Sequence, residues 1–280
     1  MRVRAYGAVM HADLAGGGRF AVAEGAGEVV KTGPPGPLAR EAAALALLAG
    51  RAPVPDLVGH DGARLVTRRL PGTPRPLGAA GGDALRALGR ALAAVHGAAA
   101  RATATGADPA APRVWSAAAY GRRRRADALA LTARAGLQPP SLPPPTTALP
   151  FRPVHGDLVA GNVVWDGDRP ALVDWEFWRW GDPAEDLAYL AEVNDLGAAE
   201  FAAVCDGHGD PGAAARAAGW RPLVALEAGA WWWAEGRHLR AAPLLRRAGV
   251  SPPTPPSART SPGPHGGRAG TTSPPCAPAG

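Results

Sequence analysis

The sequence predicts an α+β fold in two unequal lobes: a small β-rich N-terminal lobe over residues 1–70 and a larger, mainly helical C-terminal lobe over 71–248. A Pro/Gly-rich tail over 249–280 follows. Three observations carry this reading. Short strand-like runs fill the first 70 positions, Pro71-Gly72-Thr73-Pro74 breaks the direction of the chain, and apolar residues beyond it recur at helical spacing. A chain of 280 residues has ample material for a core.

In order, Arg19–Ala23 and Glu28–Thr32 read as strands joined by the turn Glu24-Gly25-Ala26-Gly27. Ahead of them, Gly16-Gly17-Gly18 is a flexible turn able to lay backbone N–H groups over a phosphate. Lys31 ends the strand pair. Leu38–Leu48 is a helix with Pro37 near its start, Gly50 past its end and Glu41 in its first turn, where the helix dipole favours an acid. Leu57–His60 and Arg64–Leu70 are two further strands around Asp61-Gly62.

Past the break, Asp83–His96 carries Leu85, Leu88, Leu92 and Val95 at helical spacing, with His96 as a structural residue at its end. Trp115–Ala135 is a second helix. Its Arg122–Arg125 run points around the helix rather than along one face, so a solvated surface is expected. Pro139–Pro153 is an extended connector. After a second apolar section, Pro183–Val193 is a helix with Asp182 as N-cap and Pro183 at its first position. Arg221–Ala242 reads as one helix, with Trp231, Trp232 and Trp233 packing into the core. From Ser251 the chain has hardly any apolar bulk and is expected to be disordered.

The chemistry concentrates in His155-Gly156-Asp157-Leu158-Val159-Ala160-Gly161-Asn162. Val163–Trp165 and Ala171–Val173 follow as a hairpin around Asp166-Gly167-Asp168, which brings Asp174 back towards this loop. One carboxylate, one amide and a second carboxylate suit phosphoryl transfer: a group to accept the hydroxyl proton and two oxygen ligands for magnesium. Composition supports it. There is one lysine, Lys31, against 29 arginines, and Asn162 and Asn194 are the only asparagines. Codon bias in a GC-rich genome explains the scarcity. It does not explain why, in the kinase-like arrangement that the resemblance described below implies, the sole lysine stands where an ammonium is needed and one of the two asparagines, Asn162, where an amide ligand is needed.

His-x-Asp-x-x-x-x-Asn with Asp174 twelve residues on, then Gly181-Asp182-Pro183-Ala184-Glu185-Asp186, resembles the aminoglycoside phosphotransferase and choline kinase-like family, distant relatives of protein kinases. The resemblance covers about residues 1–248 in the order of elements and is sharp over about 155–190. It implies a protein-kinase-like two-lobed fold with nucleotide bound by 1–70 and catalysis and substrate in 71–248. It implies transfer of the γ-phosphate of ATP, with GTP as the alternative donor, to a small-molecule hydroxyl with Mg2+. Asp157 would accept the proton, Asn162 and Asp174 would hold magnesium, and Lys31, fixed by Glu41, would bind the α- and β-phosphates. The adenine edge would pair with backbone at Arg68, Arg69 and Leu70. His155 and Asp186 would support the catalytic loop. Trp175 and Glu176 stand where protein kinases carry Phe and Gly, which favours a small-molecule kinase without a switchable activation loop. The alternative is a nucleotide-binding pseudokinase, against which the intact set Lys31, Asp157, Asn162 and Asp174 argues.

The net charge of +6 suggests nucleic acid, but its distribution opposes that. Residues 1–156 carry 20 basic and 9 acidic side chains, whereas 157–248 carry 8 arginines and 15 acids. A basic and an acidic half fit a nucleotide lobe joined to a substrate lobe. No apolar run approaches the roughly 20 residues of a membrane helix, there is no secretory leader, and two cysteines make no disulfide framework, so a cytoplasmic location is expected. Glu176, Asp182 and Glu185, interleaved with Trp178 and Trp180, point to an amine-bearing acceptor, an amino sugar or amino alcohol. A solvated acidic surface is the other reading of the same residues. Oligomeric state is not readable.

Overall fold

A computed structural model describes residues 20–25, 27–98 and 116–253. The Gly16–Gly18 turn, Cys276 and the tail beyond 253 lie outside the described residues. The N-terminal region is one antiparallel sheet of β1 (Ala21–Glu24), β2 (Glu28–Thr32), β3 (Leu57–His60) and β4 (Arg64–Arg68), in the order β1-β2-β4-β3. Val22, Val29, Val30, Leu65 and Val66 give these strands their β-favouring content. Val22 and Leu65 are buried, and both pair with Lys31 of the central strand β2. Helix α1 (Pro35–Leu48) crosses from β2 to β3 and buries Leu38, Leu45 and Leu48 against the core.

The larger region begins at β5 (Thr73–Pro74), which pairs with β7 (Val163–Asp166); β7 pairs in turn with β8 (Arg169–Leu172). Gly72 makes the entry possible. It has φ +95°, and a Cβ there would stand 2.0 Å from the Trp165 carbonyl oxygen. Helices α2 (Gly82–His96) and α3 (Ala117–Arg134) follow, and Ser116 caps α3 through the Ala119 N–H. The chain then runs extended to β6 (Arg152–Val154), which pairs with β9 (Arg179–Gly181). Helices α4 (Pro183–Val193), α5 (Ala198–His208), α6 (Pro211–Ala234) and α7 (His238–Arg247) complete the body. Helix α2 packs on α5, α4 on α6, and α6 on both α3 and α7. A Cβ at Gly89 of α2 would meet the Val204 carbonyl at 2.1 Å, so glycine sets how closely α2 and α5 approach.

Three helical expectations need correction. Helix α1 starts at Pro35 rather than Leu38, so Glu41 lies beyond its first turn. The segment Arg221–Ala242 is not one helix. Asp210 and Pro211 start α6 ten residues earlier, Pro222 lies inside it, and Gly236 at φ +75° separates it from α7. Trp231 is 41 % exposed, while Trp232 and Trp233 pack against the core, so core packing holds for two of the three. The Arg122–Arg125 run is not a uniformly solvated surface. Arg124 is turned inwards, bonding both oxygens of Glu227 at 3.2 and 2.6 Å and Glu185 at 3.1 Å.

Candidate active site

Strand β6 delivers the chain into the loop at His155, whose backbone position is set by Asp186 of α4. The two Asp186 oxygens accept the His155 N–H at 2.7 Å and the Gly156 N–H at 2.9 Å. Oδ2 also meets His96 Nε2 at 3.0 Å. Burial alone would raise the Asp186 pKa; the His96 bond and charge, with the loop N–H, outweigh it and hold the group below the carboxylate range. Burial holds the His155 imidazole below its usual value. Its bonds agree with a neutral ring: Nδ1 accepts the Asp157 N–H at 3.2 Å, and Nε2 donates to the Val173 carbonyl at 3.0 Å. Trp175, fully buried, packs against that ring at 4.4 Å and donates from Nε1 to the Leu172 carbonyl.

The rest of the loop is held as closely. Asn194, the cap of α4, accepts the Ala160 N–H at 2.8 Å and donates to the carbonyls of Leu158 and Leu190. Asn162 donates from Nδ2 to the Asp157 carbonyl at 2.8 Å and to Asp157 Oδ2 at 3.1 Å. The Tyr189 hydroxyl donates to Asp157 Oδ1 at 2.7 Å. Burial pushes the Asp157 carboxyl up to about 6; the charges of Asp174 and Glu176 add to this, and the Tyr189 and Asn162 bonds oppose it. A carboxyl with that pKa is poised to take a proton near neutral pH.

Hairpin β7–β8 returns the chain to the loop, and the Val173 N–H bonds the Asn162 carbonyl at 3.0 Å. Asp174 follows at φ +67°, a left-handed conformation that is sparsely used outside glycine. Its Oδ1 meets Lys31 Nζ at 2.6 Å, and Glu41 of α1 meets the same ammonium at 2.7 Å. Phe20 covers the ammonium at 4.2 Å. Burial alone would lower the Lys31 pKa; Asp174 and Glu41 outweigh it and hold the group well above its usual value. The Glu41 carboxyl is raised by burial and by Asp174, against the pull of Lys31. Among the described residues, no hydrogen bond engages Asn162 Oδ1 or Asp174 Oδ2, and no group of three or more His, Cys, Asp and Glu forms a metal cage. An amide oxygen and a carboxylate oxygen fit a magnesium ion that keeps water and phosphate oxygens for its other positions.

Asp182 and Glu185 do not line an acceptor site. Asp182 is fully buried, caps α4 through the Ala184 N–H, takes the Ala148 N–H, and forms two bonds with Arg216 at 2.8 and 2.9 Å. Glu185 is 2 % exposed and is bonded by Tyr120, Arg124 and Arg179. These carboxylates are spent on tertiary structure because Asp182 is the N-cap and Glu185 sits in the first turn of α4, which packs against α6. Glu176 is also buried; its carbonyl takes Arg40 Nε at 3.1 Å, and its charge bears on Asp157. Trp178 donates to the Arg40 carbonyl at 2.6 Å, so the segment after Asp174 is pinned to α1. At Arg68 and Arg69 the backbone N–H groups are already bonded to the Asp56 and Gly27 carbonyls, and the Arg68 side chain pairs with Glu28. An adenine edge at this position would have only their carbonyls and Leu70 to pair with.

Tyr189, Asn194 and the Arg124–Glu227 pair escape sequence reasoning. Asn194 had a signal, being one of two asparagines in the chain. Tyr189 had one only in hindsight, three residues beyond Asp186 on the same helix.

Residues 18–223 match the sequence model described as "Phosphotransferase enzyme family". The chain is 36 % identical over 58 residues to "Protein LicA homolog" of Metamycoplasma hominis, a match spanning 21 % of this chain and 23 % of that relative's length. Among solved structures it resembles choline kinase LicA from Streptococcus pneumoniae, with a TM-score of 0.55 and 15 % identity over 84 % of this chain and 92 % of the other. It also resembles the streptomycin-ATP-APH(2")-IIa ternary complex, with a TM-score of 0.55 and 13 % identity over 84 % of this chain and 89 % of the other. At these identities the likeness to solved structures is one of fold, and that fold is the protein-kinase-like one.

Proposed function

The chain belongs to the phosphotransferase enzyme family, and from that premise we propose that it moves the γ-phosphoryl group of ATP to an alcohol hydroxyl of a small molecule. The observation that carries the reading is a convergence. Lys31 with Glu41, and Asp157 with Asn162 and Asp174, come from two distant stretches of sequence, 31–41 and 157–174, to within reach of one another. In the transfer, the acceptor oxygen bonds to the γ-phosphorus as the bond from phosphorus to the bridging oxygen breaks, and ADP leaves. Asp157 orients the acceptor hydroxyl and takes its proton. Lys31, held by Glu41, pairs with the α- and β-phosphates. Asn162 and Asp174 would hold magnesium, which neutralises charge on the phosphate oxygens. The work is positioning and charge compensation, as this chemistry requires. GTP is the alternative donor.

We further propose that the acceptor bears an amine. Glu176 is the one carboxylate of the original three that remains near Asp157. One protein that shares this fold is named a choline kinase and another is solved in a complex with streptomycin, and both compounds are cationic alcohols. The test is Mg-ATP with a panel of matched amine-bearing and neutral sugars and alcohols at low and moderate salt. Transfer should occur, with higher kcat/KM for the amines and an advantage that shrinks as salt rises. A neutral acceptor winning would remove the amine and leave the transfer; no transfer to any alcohol would remove both.

A further inference from the structure

One helix grips the catalytic loop in the order in which the two are read. Asp186 takes the N–H groups of His155 and Gly156, Tyr189 reaches Asp157, and Asn194 holds Leu158 and Ala160. Residues 186 and 189 are one turn apart on α4 and share a face. Asp186 and Asn194 act on the loop's backbone, whereas Tyr189 bonds to a carboxylate, the one assigned to accept the proton.

We propose that Tyr189 is a positioning residue for phosphoryl transfer, fixing the Asp157 carboxylate in the orientation that receives the acceptor hydroxyl. This rests on the transfer reading above. The terminal torsion of an aspartate is broad and two-fold, so a carboxylate held at one oxygen can still swing. Here the two oxygens are held separately, Oδ1 by Tyr189 at 2.7 Å and Oδ2 by Asn162 at 3.1 Å. Each oxygen has two lone pairs, so one on each stays open to the acceptor. The phenol remains a donor because burial, with the Asp157 charge, holds its proton in place. No bond to Tyr189 forms or breaks. Its hydroxyl sets an angle, and misplacement of a reacting group by about 1 Å costs on the order of 100-fold in rate.

Tyr189→Phe keeps the ring and removes only the donor. The assay is phosphate release from Mg-ATP to water, read as kcat and nucleotide KM for the wild type, Tyr189→Phe, Asp157→Asn and the double variant. The crystal structures of wild type and Tyr189→Phe are compared alongside. The expected results are a kcat lower by about 10- to 100-fold, a nucleotide KM within about twofold, and Asp157 turned or in two orientations in the variant crystal. On the Asp157→Asn background the loss of the hydroxyl should change the residual rate by less than about twofold, since the group it positions is gone. Full or raised kcat in Tyr189→Phe, an equal loss on both backgrounds, or an unmoved Asp157 would each overturn the role. Wild-type release by Asp157→Asn would instead sink the assignment of Asp157 as proton acceptor, on which this inference rests, so the two failures are distinguishable.

Discussion

Lys31 Nζ stands 2.6 Å from Asp174 Oδ1, although 143 residues separate them in the chain. The contact ties the central strand of the N-terminal sheet to the end of the β7–β8 hairpin, and Glu41 takes the same ammonium at 2.7 Å. A compact ammonium fits between two carboxylates where a planar guanidinium has a different shape and reach. Lys31→Arg should therefore lower kcat/KM with Mg-ATP by about 100-fold or more and move the melting temperature little. Steady-state kinetics beside a thermal melt checks both. Unchanged kinetics would mean that the single lysine reflects codon bias alone.

The Asp157 carboxyl, pushed up to about 6 by burial and neighbouring charges, sets a pH dependence. A raised carboxyl binds its proton below its pKa, and the protonated form cannot accept another. The kcat/KM profile should be flat above this value and fall about tenfold per pH unit below it. A profile already flat at pH 5 would contradict the burial argument.

Asp182 gives a prediction about stability rather than binding. Its cap on α4 is buried and its two bonds to Arg216 are partly buried. Losing the cap and the charge-assisted bonds together costs about 1–3 kcal/mol. Asp182→Ala should lower the denaturation midpoint strongly, with acceptor KM unchanged in the protein that still folds. A normal midpoint with a raised KM would return Asp182 to the acceptor site.

Gly72 and Gly27 separate backbone strain from collision. Both have positive φ, +95° and +105°, but a Cβ would meet Trp165 at Gly72 and, among the described residues, nothing within 4 Å at Gly27. Gly72→Ala should cost more than about 1 kcal/mol, and Gly27→Ala clearly less. Urea titrations of the two variants measure the difference, and equal costs would mean that the approach of Gly72 to Trp165 is not tight.

Local chemistry explains what the sequence made legible. β2 (Glu28–Thr32), β3 (Leu57–His60) and α4 (Pro183–Val193) have the bounds expected from their strand content, turn residues and the Asp182-Pro183 start. Asp157, Asn162 and Asp174 could be singled out because unlike polar groups fall at short offsets among apolar runs, Lys31 because it is the one lysine, and Glu41 through the family resemblance. What stayed hidden depends on tertiary partners. Asp182 and Glu185 read as free acids until Arg216, Arg124 and Arg179 arrive from 6 to 61 residues away to neutralise them. Helix α5 (Ala198–His208) is alanine-rich and buries only Ala203, Val204 and His208, so it carries no apolar stripe to find. Arg124 and its outward-facing neighbour Arg123 are identical in type, and only Glu185 on α4 and Glu227 on α6 distinguish them.

The most direct measurement follows the phosphorus itself. Phosphorus NMR of Mg-ATP incubated with the alcohol panel should show ADP and a new phosphomonoester resonance with the wild-type chain. With Asp157→Asn, at equal folded content and equal nucleotide binding, that resonance should grow at least about 100-fold more slowly. A phosphomonoester forming at the wild-type rate without the Asp157 carboxylate, or none forming from any alcohol with the intact chain, would contradict the account.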